Sequence, residues 1–158
     1  MSFDLVIRGG TLATAERAFA CDIGVRNGKI AALEPNLSAG TVIDATGKLV
    51  LPGGVDSHCH IEQLSSMGVM AADDFYSATV SAACGGTTTV IPFCAQHRGD
   101  SLAQNLADYH VRARTKAVID YGFHLIIANP DARTLEQDLP AAIGTGIRSF
   151  KIFMTYER

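Results

Sequence analysis

Two groups of residues in this sequence have the types and spacing that chemistry needs. The first is Asp56-Ser57-His58-Cys59-His60. On a strand, alternate side chains share a face, so His58 and His60 would point the same way, about 6–7 Å apart. Two imidazoles at that spacing can grip one metal ion. Asp56 falls on the same face and could orient a ligand. Cys59 points the opposite way and is a poor candidate. The plain alternative is a pair of half-buried structural histidines. The preceding Pro52-Gly53-Gly54-Val55 and a position at the end of a parallel strand favour the metal reading. The second group is Ser149-Phe150-Lys151-Ile152-Phe153-Met154-Thr155-Tyr156, which sets a lysine inside an apolar run. Lysine is almost never fully buried without a partner, and a buried lysine tends to lose its proton and become reactive. The competing reading is an edge-strand lysine that reaches out to water.

The remaining candidates are weaker. His97 falls in a loop past the second barrel-type strand, where loop packing outweighs ligation. His110 is mid-helix and expected in solvent. His124 opens a strand at the end away from the reactive groups and is expected to be structural. Asp73 and Asp74 read as helix caps. The run Gly85-Gly86-Thr87 ends a helix and opens a strand, the reverse of a phosphate loop.

These groups need elements to carry them. Residues 4–8, 22–26, 29–33, 41–44 and 48–51 read as short strands. Asn27-Gly28 signals a type I′ hairpin, and Ala45-Thr46-Gly47 signals another turn. Together they predict a small antiparallel meander, too small to stand alone. After Pro52 the pattern changes. Residues 54–61 read as a strand, and 73–84 carry a helical period at 75, 76, 79, 80, 83 and 84. Residues 87–94 read as a strand and 101–120 as a helix capped by Ser101. Residues 122–128, 135–143 and 147–154 follow as strand, helix and strand. The order β-α-β-α-β-α-β argues for parallel strands with helical crossovers. A complete (β/α)8 barrel needs about 250 residues, so pattern alone allows an open four-stranded sheet or the front of a barrel.

Composition narrows the class. The 158 residues carry 13 basic and 16 acidic side chains, a net charge of −3. That balance is not the footprint of a nucleic-acid or membrane-surface binder. Hydrophobic residues at 47% and charged ones at 18% indicate a globular chain. No run approaches the roughly 18 apolar residues of a membrane span. An acidic residue at position 4 and no cationic leader argue against a secretory signal. Cys21, Cys59, Cys84 and Cys94 lack metal or disulfide spacing, which predicts reduced thiols in a cytoplasmic protein.

Taken together, the motifs resemble those of the cyclic-amide branch of the amidohydrolase superfamily, the D-hydantoinase and dihydropyrimidinase group. The resemblance rests on Pro52-Gly53-Gly54-Val55-Asp56-Ser57-His58-Cys59-His60, on Asp73-Asp74-Phe75, on Gly85-Gly86-Thr87-Thr88-Thr89 and on Phe150-Lys151-Ile152-Phe153-Met154-Thr155-Tyr156. The opening Asp4-Leu5-Val6-Ile7-Arg8-Gly9-Gly10 is also similar. The paired histidines are shared across the superfamily, whereas the lysine segment is specific to this branch.

The resemblance implies an α/β fold: the N-terminal half of a (β/α)8 TIM-type barrel over residues 53–158, preceded by a small antiparallel β-sandwich segment over residues 1–52. It implies two divalent metal ions, usually zinc, at the C-terminal mouth of the barrel. His58 and His60 would bind the first. Lys151 would carry a CO2-derived carbamate and bridge both. Asp56 would orient the surroundings. A metal-bridging hydroxide would attack the ring amide carbon, and Tyr156 would donate to the developing oxyanion. The substrate would be a small cyclic amide, a dihydropyrimidine or 5-substituted hydantoin. Loops 62–72, 94–99 and 155–158 would line its exocyclic group, with Leu64, Met67, Val69 and Met70 giving an apolar face. Met is also a common gap-filler, so the same residues could serve packing.

In that family two further histidines and an aspartate come from later strands. The chain is therefore expected to be the N-terminal portion of a longer hydrolase, inactive alone. Its exposed sheet edges would be covered by another copy or by the complementary portion. Allantoinase- and dihydroorotase-type enzymes are alternatives, disfavoured because Ile61-Glu62-Gln63-Leu64 follows the histidine pair. A non-catalytic dihydropyrimidinase-related scaffold is the alternative of another kind, disfavoured by His58, His60, Lys151 and Tyr156.

Overall fold

The computed structural model describes residues 2–65 and 67–154. The chain divides into two compact units, Met1–Pro52 and Gly53–Arg158.

The first unit is all β: β1 (Leu5–Arg8), β2 (Thr11–Ala13), β3 (Ala18–Ala20), β4 (Asp22–Arg26), β5 (Lys29–Glu34), β6 (Val42–Asp44) and β7 (Leu49–Val50). Asn27 and Gly28 take φ of 51° and 70°, the double left-handed turn that a type I′ hairpin requires. The expected antiparallel meander is corrected in two ways. Residues 11–20 form a hairpin, β2 with β3, that the composition of this segment did not signal. Moreover β1 pairs with β6, and β2 with β7, in parallel. Ala45-Thr46-Gly47 is thus not a hairpin turn. It is a jog that carries a parallel pair from one sheet to the next, with Ala45 N–H on the Arg8 carbonyl at 2.8 Å and Thr11 N–H on the Lys48 carbonyl at 2.9 Å. The resulting sheets have the orders β5-β4-β1-β6 and β3-β2-β7.

The second unit alternates strand and helix: β8 (Gly54–Cys59), α1 (Phe75–Cys84), β9 (Thr87–Ala95), α2 (Leu102–Lys116), β10 (Asp120–Tyr121), β11 (His124–Ile126), a π-helical turn at Thr134–Asp138, α3 (Leu139–Gly144) and β12 (Phe150–Lys151). Every strand pair is parallel. β8 lies beside β9, β10 and β11 lie on the other side of β9, and β12 lies beside β11. Spatial order therefore follows chain order, as it does in a barrel.

Alternation along β9 separates the two faces. Val90 and Cys94 join Leu125 in a core with Phe75 of α1, Leu102, Leu106, Tyr109 and Ala113 of α2, and Ala142 of α3. The helices thus cover one face. Phe93, Ala95 and Ile126 cluster on the opposite face. Burying a side chain such as Phe75 or Leu125 contributes about 1.5–3 kcal/mol. At the entry to β8, a Cβ on Gly53 would collide with the Thr88 side chain, so the lead-in to the histidine pair needs a glycine there.

Three boundaries differ from expectation. In α1 the expected positions 75 and 79 are buried, joined by Ala78 and Ala82, whereas Tyr76 of the same expected period is 57% exposed. Thr79 can sit inside because its Oγ1 donates to the Phe75 carbonyl at 2.6 Å and accepts the Val118 N–H at 3.1 Å. Helix α2 stops at Lys116, where Ala117 turns to extended backbone and residues 120–121 join the sheet. Among the described residues the last strand is Phe150–Lys151, in register with Leu125 and Ile126 of β11. Among the described residues no helix is long and apolar enough to cross a membrane.

Candidate functional site

The helix-free face of the parallel sheet gathers the reactive side chains around one ring. Phe93, near the C-terminal end of β9, has the His58 ring 4.8 Å away and the His60 ring stacked at 5.1 Å. The two imidazoles stand 5.7 Å apart. The Lys151 Nζ lies over the same Phe93 ring, 4.4 Å from its centre, and 5.4 Å from the Phe153 ring. The histidines and the lysine, from the first and last strands of the sheet, therefore share one face and one platform. Lys151 is half-buried on the outermost described strand, its ammonium resting on aromatic faces as cation–π attraction favours.

The orientation of His60 is fixed by a neighbour. Its Nδ1 lies 2.7 Å from Gln63 Oε1. An amide oxygen only accepts, so Nδ1 carries a hydrogen, which in the neutral ring leaves the Nε2 lone pair free. That is the arrangement in which a ligating imidazole is held by its other nitrogen. Asp56 does not reach an imidazole; its Oδ1 accepts the His58 backbone N–H at 3.0 Å, where β8 shifts register between Asp56 and Cys59. Cys59 is half-buried, and desolvation, helped by the Asp56 charge, pushes its thiol up to about 11. It is not poised as a ligand. Tyr156 and loop residues 155–158 lie outside the described residues.

His124 departs from expectation. It was expected far from the reactive groups, yet β11 enters the sheet with His124 in register with Phe93. The two rings are 5.1 Å apart. Its Nε2–H donates to the Ser57 carbonyl at 2.9 Å, and its Nδ1 takes the Ser149 hydroxyl. Both nitrogens are committed, so His124 ties β8, β11 and the approach to β12 together beneath the site. His110 is mid-helix and exposed, as expected, although its ring also packs edge-on against Phe123 at 4.9 Å and partial desolvation holds its pKa below the usual imidazole value.

A cleft of about 560 Å³ opens over His60 and Lys151. Leu64, Met67, Val69 and Met70 form its apolar wall, and His97 and Phe153 contribute opposite. The wall is a small loop closed by Ser65 N–H on the Val69 carbonyl at 2.8 Å and Ala71 N–H on the Gln63 carbonyl at 2.9 Å. Met67 is 85% exposed, Val69 62% and Met70 51%, so these side chains are not spent on a core. The backbone of His97 is held by Asp100 Oδ2 at 3.2 Å.

The donor set fits part of a metal site. Two imidazoles and an amine lie on one face, but no group of three or more His, Cys, Asp or Glu among the described residues surrounds a single point. Sequence reasoning missed Phe93 and Gln63, and read His124 as structural without placing it beside the site. For Phe93 the signal was present, since alternation along β9 sets it on the face away from the helices.

A helix-covered parallel sheet in chain order, with its reactive side chains toward the C-terminal ends of its strands, has the architecture of the front part of a β/α barrel. No family model matches the chain. It is 44% identical to the D-hydantoinase of Rhizobium radiobacter over 154 residues, 97% of this chain and 33% of that protein. It is 38% identical to the dihydropyrimidinase of Arabidopsis thaliana, over 97% of this chain and 29% of that protein. Among solved structures, a D-hydantoinase superposes with a TM-score of 0.91 at 43% identity, covering 98% of this chain and 34% of that one. The dihydropyrimidinase of Brevibacillus agri superposes at 0.89 with 40% identity, covering 97% and 33%. The chain belongs to the D-hydantoinase and dihydropyrimidinase family. It spans about a third of the length of the relatives it matches.

Proposed function

We propose that the chain is the N-terminal portion of an enzyme that hydrolyses the ring amide of dihydropyrimidines or 5-substituted hydantoins with the help of two divalent ions, zinc first among them. The observation that carries this reading is the convergence of His58, His60 and Lys151 on the Phe93 ring beneath an open cleft. When bound, the ions would polarise the ring carbonyl and bring the pKa of water toward neutrality. His58 and His60 would hold the first ion, His60 through Nε2. Lys151, as the carbamate formed when its neutral amine adds CO2 and releases a proton, would help hold both ions. Tyr156 would donate a hydrogen bond where negative charge develops on the carbonyl oxygen. Leu64, Met67 and Met70 would receive an apolar 5-substituent, because an exposed apolar wall gains by covering one.

The remaining ligands would come from the two thirds of the relatives that this chain does not span. On its own it would then be inactive, completed by a complementary portion or assembled with further copies. Its four cysteines are all free thiols, which agrees with a reducing, cytoplasmic setting.

The test is metal analysis together with turnover of dihydrouracil and 5-substituted hydantoins, with the complementary portion supplied. Bound zinc and turnover are expected, with both reduced about a hundredfold in His58→Ala. No metal and no turnover, even with that portion present, would overturn the reading in favour of a non-catalytic scaffold.

A further inference from the structure

Glu62, two residues beyond His60, is fastened at every polar group it has. Its N–H donates to the Asp73 carbonyl at 3.0 Å. Its carbonyl accepts from Arg112 Nη1 at 2.8 Å. One carboxylate oxygen accepts the Phe75 N–H, at the start of α1, at 3.2 Å. Lys116 Nζ, in the last turn of α2, donates to both carboxylate oxygens at 3.0 Å and lies 3.3 Å from Asp74, the cap of α1. The Arg112 guanidinium is itself seated on the Tyr109 ring, 4.1 Å away. The Glu62 side chain is 16% exposed.

This fastening holds an unfavourable backbone. Glu62 has φ of 46°, a left-handed conformation that a glycine would adopt more readily. Such strain persists only where the surroundings over-determine it. Here it turns the chain at the exit of β8, between His60 and the Gln63 that holds the His60 Nδ1–H. Neither Glu62 nor Lys116 contacts either imidazole; they join the start of α1, which already has its own cap in Asp74, to the last turn of α2. The turn itself is what they specify.

We propose that Glu62, locked by Lys116, is a positioning residue that presets the His60 imidazole for a divalent metal ion. This rests on the reading of His58 and His60 as metal ligands. It assigns to α1 and α2 a task besides covering the sheet: they hold the geometry of a pair of ligands on its other face.

The test uses the full chain and Co2+, whose visible absorption reports the geometry around the ion. Titrations compare wild type, Glu62→Gln, Lys116→Met, Lys116→Arg and His58→Ala, each checked by thermal melting. Glu62→Gln and Lys116→Met are expected to weaken Co2+ binding about tenfold, the scale of losses from a group behind a ligand, and to alter the band. Lys116→Arg keeps a cation within reach and is expected to bind within about twofold of wild type. If Glu62→Gln fails to fold, the contrast between Lys116→Met and Lys116→Arg decides. Wild-type spectra and affinity in folded Lys116→Met, with binding still lost in His58→Ala, would overturn the positioning role and leave the ligand pair standing. Equal behaviour of wild type and His58→Ala would instead overturn the ligand reading, and the positioning role with it.

Discussion

Phe93 is the residue on which the candidate site is built, yet it carries no chemistry of its own. Its ring gives His58, His60, His124 and Lys151 a common floor. The histidine pair and the lysine were legible in the sequence because strand alternation and the rarity of lysine in apolar runs point to them without any tertiary information. Gln63 and Glu62 were not legible in these roles, and His124 was legible as structural but not as a neighbour of Phe93. Each acts through a partner brought near by a register shift, a strand offset or a turn, and none of those leaves a mark in local composition. The cysteines give a residue-level test. Burial pushes Cys94 up to about 12 and Cys59 up to about 11, and the thiolate is the reactive form. At pH 8, iodoacetamide is expected to label exposed Cys84 first, Cys59 more slowly and Cys94 last, followed by peptide mass spectrometry over time. Comparable rates at Cys94 and Cys84 would contradict the burial described here.

At the scale of elements, the strand–helix alternation after Pro52 was readable from apolar period and glycine punctuation. The caps were too: Asp74 accepts the Ser77 N–H at 2.9 Å and Ser101 accepts the Gln104 N–H at 3.3 Å. What failed was the facing of α1 and the pairing of the first fifty residues. The apolar period counted 75 and 79, which are buried, but also Tyr76, 83 and 84, which packing leaves exposed while Ala78 and Ala82 turn inward. Short β-segments likewise do not disclose whether a neighbour runs parallel or antiparallel, because one face pattern serves both. Thr79 provides the test. Thr79→Val keeps the shape but leaves the Val118 N–H without its acceptor, a loss of about 1–3 kcal/mol. Chemical denaturation should show a lower midpoint with an unchanged slope; an unchanged midpoint would mean that the hydrogen bond is replaced.

On the scale of the whole molecule, the parallel sheet presents apolar side chains toward both of its ends. Val55 on β8 is 61% exposed, and Ile152 and Met154 just past β12 are 65% and 89% exposed. Unpaired strands with apolar neighbours invite further pairing. Sedimentation velocity of the full chain is therefore expected to show association that grows with concentration, and Ile152→Lys to shift it toward the monomer. A chain that sediments as a monomer throughout would show that these edges do not pair. Because β9 is flanked by β8 on one side and by β10 and β11 on the other, its register is inherited by every later strand. During synthesis each arriving segment finds its template already laid down, so growth can proceed one stave at a time from the ribosome outward. One residue inserted in β9 ahead of Phe93 would carry the opposite consequence: it would turn the Phe93 ring to the helix side, taking away in a single step the surface on which His58, His60, His124 and Lys151 meet while leaving each of them intact.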